Sequence, residues 1–336
     1  MNARSVAILV VLLAVLGGGA LLYQRQEAER RPAGSAALGQ KLFKDLKAAD
    51  VASIRIVEPK AALTLQRKDQ GWVVVEREDF PADLAAVREF VLKTIELKVG
   101  QTDPIGEKDR ARLNLDASGT RVQLAGADGK PLAELIVGRK YFKREPEDAQ
   151  KAPADGRFVL LPAQPQTAYV VSDPLARASA ASAGWIDHAG FKVEKVRALE
   201  VRYPDNGSWR IERSGDNADW RLDSARPGEK LDPGKANAAS YTLSLLTLAD
   251  VAPKGAADTG LDKPVRIEAT TLAGVTYSLR VGKQAGDNYY VAMETSSAEP
   301  RERLLARHVL LVPQAKLEDT LKRRDELLAK NQDTKK

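Results

Sequence analysis

The sequence has no cysteine among its 336 residues and only two histidines, His188 and His308. The lack of cysteine excludes disulfides, thiolate metal ligands, cysteine nucleophiles and acylation at a lipobox cysteine. The two histidines lie far apart in the chain, so their number excludes a histidine-rich metal site. We therefore assign no metal site and no cofactor-binding residue.

The sequence also lacks a long block of one charge sign. Its 52 basic and 46 acidic residues give a formal net charge of +6 and are mixed along the whole chain. No basic stripe with interleaved aromatic residues occurs, so we expect no nucleic-acid partner. With 43% hydrophobic residues, the chain is long enough for two or three domains with ordinary cores.

Motifs that would indicate catalysis are missing as well. There is neither a nucleophile elbow of the G-x-S-x-G type nor the eight-residue spacing of a phosphate loop. Asp187-His188 could form half of a catalytic pair with Ser172 or Ser182 as nucleophile, but nothing in the sequence orients these groups. We interpret His188 as a surface or junction residue and assign no catalytic residue.

His308 follows the basic segment 301–307 and precedes the strand-like VLLVP, and we interpret it as a second surface residue. The chain is accordingly not expected to be an enzyme.

The longest apolar run is SVAILVVLLAVLGGGALL, from Ser5 to Leu22. Eighteen helical residues span about 27 Å, close to the hydrocarbon thickness of a bilayer, so the run predicts a transmembrane helix. A cleaved signal peptide is the alternative, with Gly18 and Ala20 at the processing site. We favour the uncleaved anchor, because the apolar run continues past that site.

The charges that flank this run favour the opposite orientation to the one we expect. Arg25, Arg30 and Arg31 outnumber Arg4, which would place the C-terminal side in the cytoplasm. Short anchors that precede large domains often translocate regardless of flanking charge. We therefore predict a single-pass inner-membrane protein with its bulk in the periplasm.

The rest of the chain repeats one pattern. The first block contains, in order, ADVASIRIV, LTLQRKDQGWVV, a helical segment and LNLDASGTRVQLAGADGKPLAELIVGRK. The second block contains the corresponding KVRALEVRY, SWRIERSGDNADWRL, a second helical segment and GLDKPVRIEATTLAGVTYSLRVGKQ. Trp72 and Trp220 are 148 residues apart, Asp116 and Asp262 146, and Gly138 and Gly282 144. A duplication explains these spacings with one assumption.

Each block alternates apolar and polar residues, as at Leu63, Leu65 and Arg67 or at Val265, Ile267 and Ala269, which predicts half-buried strands. Turns are predicted at Gly71, Asp128-Gly129, Asn206-Gly207 and Gly274. Asn206-Gly207-Ser208 also matches a glycosylation sequon, but we favour the turn.

A helix is predicted in each block. In the second block Asp232 is the expected N-cap and Pro233 the first helical residue. The buried faces are predicted to be Leu84, Val87, Val91 and Ile95 in the first helix and Ala236, Ala239, Leu243 and Leu246 in the second.

The predicted fold is therefore α+β: an N-terminal transmembrane helix followed by two tandem copies of a β-rich domain, each an antiparallel sheet with one main helix. The predicted boundaries are 1–23 for the anchor, 24–40 for a linker, 41–178 for the first repeat and 185–313 for the second. Residues 314–336 are predicted to form an amphipathic helix and a charged tail.

Two further features admit two interpretations each. Val137-Gly138-Arg139-Lys140 and Val281-Gly282-Lys283-Gln284 could form anion-binding nests, but a strand end with a glycine bulge is favoured. Trp72 and Trp220 are interpreted as core residues, with a carbohydrate or peptide platform as the alternative.

Several segments together carry a family resemblance. They are the anchor, the opening ADVASIRI, the strand pair that ends in QGW, the LNLD hairpin segment and the junction GWIDHAGFKVEKVRALEV. The chain resembles the bacterial membrane-anchored domain of unknown function 4340 family. The resemblance implies an extracytoplasmic auxiliary subunit of a gliding-motility-like ABC transport system, with membrane-protein partners such as the transporter components. It implies no catalytic residue.

Two functions are compatible with the sequence. The first is a non-catalytic, membrane-anchored binding or scaffold subunit. The alternative is an envelope hydrolase or ligand-binding enzyme with a site in the cleft between the two repeats.

Overall fold

The computed structural model describes residues 38–330. They form two compact units that do not follow the chain in simple succession. The first comprises the described residues up to Ala62 together with Arg88–Ala180. The second comprises Leu63–Val87 together with the described residues from Ala181 on. The segment Leu63–Val87 is thus separated from the rest of its unit by more than 90 residues of sequence.

The first nine strands form one antiparallel sheet. They are β1 (Ser53–Glu58), β2 (Ala61–Lys68), β3 (Gly71–Val74), β4 (Phe80–Pro81), β5 (Val99–Pro104), β6 (Thr120–Ala125), β7 (Pro131–Tyr141), β8 (Gly156–Leu160) and β9 (Thr167–Val171). Their order across the sheet is β4-β3-β2-β1-β6-β7-β8-β9-β5. Gly39 donates its N–H to Val99 at 2.7 Å and Leu42 donates to Leu97 at 2.8 Å, so the start of the described chain runs beside β5.

The next eight strands of the described chain form a second antiparallel sheet. They are β10 (Val196–Arg202), β11 (Trp209–Glu212), β12 (Arg221–Leu222), β13 (Asp250–Val251), β14 (Val265–Thr271), β15 (Thr276–Ala285), β16 (Asn288–Thr295) and β17 (Leu310–Pro313). The order is β12-β11-β10-β14-β15-β16-β17-β13. Apart from the additional β4, it matches the first sheet strand for strand. Two antiparallel sheets with few helices confirm the predicted β-rich α+β class.

Within residues 38–330, four α-helices connect these strands: α1 (Leu84–Ile95), α2 (Glu107–Arg112), α3 (Pro233–Tyr241) and α4 (Pro300–Leu305). A 3-10 turn, Thr242–Leu245, continues α3. Asp232 accepts hydrogen bonds from Gly234 and Lys235 at 2.9 and 3.2 Å, which confirms the predicted cap. Asp83 caps α1 through Ala85 and Ala86. The two caps lie 149 residues apart and align the two helices residue by residue.

Burial follows the predicted alternation in the strands. Leu63 and Leu65 are buried while Thr64 and Gln66 are not, and Ile267 and Ala269 are buried on β14 with Val265 half-buried. Arg67, on the same face as the two leucines, is exposed near the end of β2. In α3 and its continuation, the predicted face of Ala236, Ala239, Leu243 and Leu246 is buried. Period-two and helical patterns therefore predicted these faces correctly.

The predicted face of α1 is correct in part, because Val87 and Val91 are buried and Ile95 is half-buried, whereas Leu84 is not buried. The buried residues are Ala86, Val87, Phe90, Val91 and Thr94, and Leu84 is 51% exposed. Leu84 is the first residue of the helix and lies at the edge of this stripe. The helical period alone placed it too close to the core.

The predicted turns carry the expected backbone conformations. Gly71, Gly129 and Gly274 have φ of 125°, 78° and 83°. In the Asn206-Gly207 turn, it is Asn206 that adopts the left-handed conformation, with φ of 64°. Asn tolerates this region better than most residues, which agrees with the turn interpretation of this tripeptide.

The predicted C-terminal amphipathic helix is not formed over the described residues. Residues 314–330 contain two 3-10 turns, Gln314–Lys316 and Asp325–Leu327, in place of a continuous helix. Backbone bonds to other segments replace the helical ones: Asp232 donates to Leu327 at 3.0 Å and Ala329 to Lys230 at 2.8 Å. This segment therefore pairs with the loop before α3.

The predicted transmembrane helix lies outside the described residues. Within residues 38–330, no helix is both long and apolar enough to cross a bilayer.

Candidate functional site

The three groups considered for catalysis in the second unit each have a different partner. Ser182 donates from its hydroxyl to Asp250 Oδ2 at 2.5 Å. His188 Nδ1 lies 2.7 Å from the carbonyl oxygen of Leu248, which can only accept a hydrogen bond. Asp187 Oδ2 pairs with Arg301 Nη1 at 3.2 Å. These contacts join segments of the fold, and they do not assemble a serine, a histidine and a carboxylate into a triad.

The two remaining candidates behave differently from one another. Ser172 is exposed, and its backbone N–H donates to Lys98 at 3.2 Å. His308 is 8% exposed and packs edge-on against Phe80, with 5.2 Å between the ring centroids. The prediction that His308 is a surface residue is wrong, because its imidazole fills a position in the core that the local sequence does not reveal.

The two valine-glycine-basic endings have the same structural role. A Cβ at Gly138 would overlap the carbonyl oxygen of Leu113 and lie 2.7 Å from Leu115 Cδ2, and a Cβ at Gly282 would overlap the carbonyl oxygen of Thr259. The pairing of β7 with β8 and of β15 with β16 shifts register at these points. The glycine-bulge interpretation is therefore correct: each glycine admits a crossing segment of backbone.

The aligned tryptophans are not equivalent in burial. Trp72 is half-buried on β3, whereas Trp220 is 8% exposed. Trp220 donates from Nε1 to Asn237 Oδ1 at 2.9 Å, and the guanidinium carbon of Arg213 lies 4.7 Å from its ring centroid. Trp220 thus holds two polar side chains in place.

Asn237 and Arg213 line a cleft of about 660 Å³ in the second unit, which we call the α3 cleft. Its lining residues come from the segment before β10 and the first residue of that strand, from the loop after β11, and from α3 with its continuation. They are Lys192, Val193, Glu194, Lys195, Val196, Arg213, Asp216, Asn237, Ala238, Ser240, Tyr241 and Ser244. This volume is typical of small-ligand sites.

Arg213 is fully engaged within the α3 cleft. It donates to Val196 O at 2.7 Å and to Asp216 Oδ1 at 2.8 Å, and a further bond joins it to the Asp216 carbonyl. Only 13% of its side chain is exposed. Arg213 and Asp216 therefore neutralise each other and form a rigid wall.

The other charged groups of the cleft are not engaged. Across residues 38–330, no hydrogen bond or ion pair is made by the side chains of Lys192, Lys195 and Glu194 or by the Tyr241 hydroxyl. Tyr241 is 64% exposed. The cleft therefore combines free cationic donors with an accessible aromatic ring.

A second candidate surface lies on α1. Leu84, Arg88 and Leu92 follow one i, i+4, i+8 row of the helix, and the two leucines are 51% and 47% exposed. We call this row the α1 ridge. The aligned row on α3 is Pro233, Asn237 and Tyr241, so both helices place an exposed large side chain at the same position, Leu92 and Tyr241.

Charged neighbours of the α1 ridge are paired with one another. Lys93 Nζ lies 2.9 Å from Glu89 Oε1, and Arg177 Nε lies 3.2 Å from Glu89 Oε2. These contacts lower the pKa of Glu89, first through the hydrogen bond from Lys93, and raise the pKa of Lys93. Arg88 is exposed and takes part in no such pair.

One buried polar pair of the second unit is structural. Tyr277 donates its hydroxyl to Glu302 at 3.1 Å and stacks on Phe191 at 6.1 Å between centroids. Burial raises the pKa of Tyr277 to about 12. Within residues 38–330, no group of histidine and carboxylate side chains is arranged to hold a metal ion.

Both surfaces belong to a β-rich α+β chain built from two antiparallel sheets of matching strand order. The chain belongs to the family described as a domain of unknown function (DUF4340), which matches residues 72–264, more than half of its length. The matched region includes the α1 ridge and the α3 cleft. No curated protein and no solved structure matches the chain.

Proposed function

We propose that this protein is a non-catalytic binding or scaffold subunit, anchored in the inner membrane with its bulk in the periplasm. Its partners are membrane proteins, such as components of a gliding-motility-like ABC transport system. The apolar run Ser5–Leu22 supports the anchor, and the resemblance of the chain to its family supports the transport association.

The observation that carries the binding role is the α1 ridge. Large apolar side chains on a helix surface normally face a core, so we take the two exposed leucines of this row as the contact points for a partner. Leu84 and Leu92 are about half exposed and lie on either side of Arg88. The partner surface is therefore apolar, with an acidic group opposite Arg88.

Of the charged side chains on α1, one is free to pair with that acidic group of the partner. Glu89 and Lys93 are already satisfied by each other, and Arg177 adds a second contact to Glu89. Arg88 is the charge on this helix that remains available. An acidic partner residue gains a salt bridge there without breaking an existing pair.

The test is co-purification of the full chain from gently solubilised membranes of its host. Leu92→Glu places a charge at one end of the ridge, and Leu132→Glu is the matched control, since Leu132 is 40% exposed at the start of β7. We expect wild-type and Leu132→Glu chains to retain the same membrane protein. Leu92→Glu should retain at least tenfold less, with an unchanged melting temperature.

Arg88→Glu provides a second arm, because it should weaken the same association while Arg88→Lys preserves most of it. The proposal is wrong if the Leu92→Glu chain retains that partner at the wild-type level. Purification of the wild-type chain as a lone monomer would contradict it equally.

A further inference from the structure

We propose that the α3 cleft is a binding site for an acidic saccharide. This site lies in the second unit, is separate from the α1 ridge in its lining residues, and does not depend on the partner-binding role. Three properties of the cleft lead to this ligand class: its surplus of hydrogen-bond donors, its exposed aromatic ring and its preformed polar wall.

Donors exceed acceptors among the groups of the cleft that remain available. Lys192 and Lys195 supply two ammonium groups, and Asn237 keeps its Nδ2 free because Trp220 occupies its Oδ1. Glu194 is the one unpaired carboxylate of the lining, since Asp216 is bound to Arg213. The complementary ligand is rich in oxygen acceptors and carries negative charge.

Tyr241 indicates a ligand with a ring as well as a charge. Its side chain is 64% exposed at the rim of the cleft, so one aromatic face is accessible. The C–H groups of a sugar ring pack on such a face, while its hydroxyls exchange hydrogen bonds with side chains such as Asn237 and Glu194. A small inorganic anion would use the lysines but leave the ring uncovered.

The aligned helix of the first sheet shows that these residues are not required by the fold. Where α3 has Asn237, Ala238 and Ser240, α1 has Arg88, Glu89 and Val91. Asn237 and Ala238 are thus shorter than the aligned Arg88 and Glu89, and both line the α3 cleft.

The backbone of the cleft is also held in an uncommon conformation. Lys195 has φ of 50°, and its carbonyl oxygen accepts a hydrogen bond from Leu272 at 2.8 Å. A left-handed conformation is unfavourable for a lysine, and such conformations cluster at ligand-binding sites. The fold thus fixes the backbone from which the Lys195 side chain projects.

The test is titration calorimetry of the full chain in detergent micelles with two acidic saccharides, hexagalacturonate and a hyaluronan hexamer. Cellohexaose is the neutral control, and inorganic phosphate at equal ionic strength is the control for charge alone. We expect saturable binding of at least one acidic saccharide, at least tenfold tighter than cellohexaose, and no saturable binding of phosphate.

Variants assign the binding to the cleft. Lys192→Ala combined with Lys195→Ala should weaken binding at least tenfold, whereas Lys254→Ala combined with Lys263→Ala, at exposed positions outside the cleft, should not change it. Tyr241→Ala should weaken binding and Tyr241→Phe should preserve it. All of these side chains are exposed, so each variant is expected to fold.

The proposal is overturned if neither acidic saccharide binds more tightly than cellohexaose. It is also overturned if the Lys192 and Lys195 double variant binds like the wild type, or if phosphate competes fully. Failure here leaves the partner-binding role intact, because the two proposals rest on different side chains.

Discussion

Gly138 and Gly282 each lie where another segment of backbone crosses a strand. Arg139 donates its N–H to Leu113 at 2.9 Å, and Lys283 donates to Thr259 at 2.7 Å, so the residue after each glycine bonds the crossing segment. The backbone approach leaves no volume for a side chain. The valine-glycine-basic pattern is therefore a requirement of packing.

We expect Gly282→Ala to lower the free energy of unfolding by at least about 2 kcal/mol, because the new methyl group forces the crossing backbone to move. Gly138→Ala should have a similar effect. Urea unfolding measures both. The control is Gly184→Ala, where an added Cβ meets nothing within 4 Å, and it should change stability by less than about 0.5 kcal/mol. Equal effects at Gly184 and Gly282 would contradict the steric explanation.

Glu229 provides a pH-dependent contribution to stability. Its Oε2 accepts from Arg324 Nη2 at 2.7 Å and from the Arg226 N–H at 2.9 Å. These bonds, that from Arg324 first, lower the pKa of Glu229 from 4.5 to about 2. The unfolded chain therefore takes up this proton at a higher pH than the folded chain does.

The contribution of Glu229 is expected to be complete above about pH 5 and to be lost as the pH falls towards 2. Glu229→Gln should destabilise the protein at pH 6, and this difference from wild type should shrink at pH 3. Denaturant unfolding at the two pH values measures it. Exposed Glu147→Gln serves as control. A Glu229→Gln effect that is the same at both pH values would rule out the linkage.

At the scale of elements, the segment Leu317–Ala329 stabilises the second unit without regular helix. Trp209 donates from Nε1 to Lys322 O at 2.7 Å, Tyr203 donates to Leu321 O at 2.6 Å, and Thr320 donates to Ala239 O at 2.7 Å. The leucine spacing in this segment resembles a helical stripe. Leu317 and Leu327 are indeed buried, but through 3-10 turns and bonds to other segments.

We expect Leu317→Ala to cost about 2–5 kcal/mol in unfolding free energy, since Leu317 is fully buried. Thermal and urea unfolding of the full chain measure the loss. Leu132→Ala, at a 40% exposed position, should change stability by less than about 0.5 kcal/mol. If the two variants were equally stable, the segment would contribute little to the fold.

Local sequence signals predicted where helices and turns occur better than they predicted which side chains are buried. Asp232 and Pro233 mark a helix start and the Asp-Gly pair a hairpin, because caps and turns depend on a few neighbouring residues. The exposure of Leu84 and the burial of His308 depend on distant segments. The α3 cleft was not predicted for the same reason, since its lysines, Arg213 and Tyr241 come from three separate stretches of ordinary composition.

At the scale of the whole molecule, the segment Leu63–Val87 belongs to the second unit. Phe80 is fully buried beside His308, Asp83 donates its N–H to Trp185 at 2.7 Å, and Asp187 donates to Pro81 at 2.9 Å. The sequence repeat predicts the order of the strands. It does not predict that Leu63–Val87 belongs to the second unit, because that assignment leaves no periodic pattern in the sequence.

We expect a fragment of residues 181–336 to be poorly folded on its own, because it lacks Phe80 and its neighbours. A full chain cleaved at an engineered protease site beside exposed Ala181 should instead remain associated. Size-exclusion chromatography and dye binding distinguish the two cases. Separation of the cleaved pieces, or a native-like isolated fragment, would show that Leu63–Val87 is dispensable.

The pairing of Gly39–Leu42 beside β5 limits the reach of an anchored molecule. If the run that ends at Leu22 is inserted in a bilayer, residues 23–38 can extend at most about 55 Å. The rim of the first sheet at β5 would then stay within that radius of the lipid surface. On that condition, a partner would have to present its docking site within this distance of the membrane, and shortening residues 23–38 would reduce the distance.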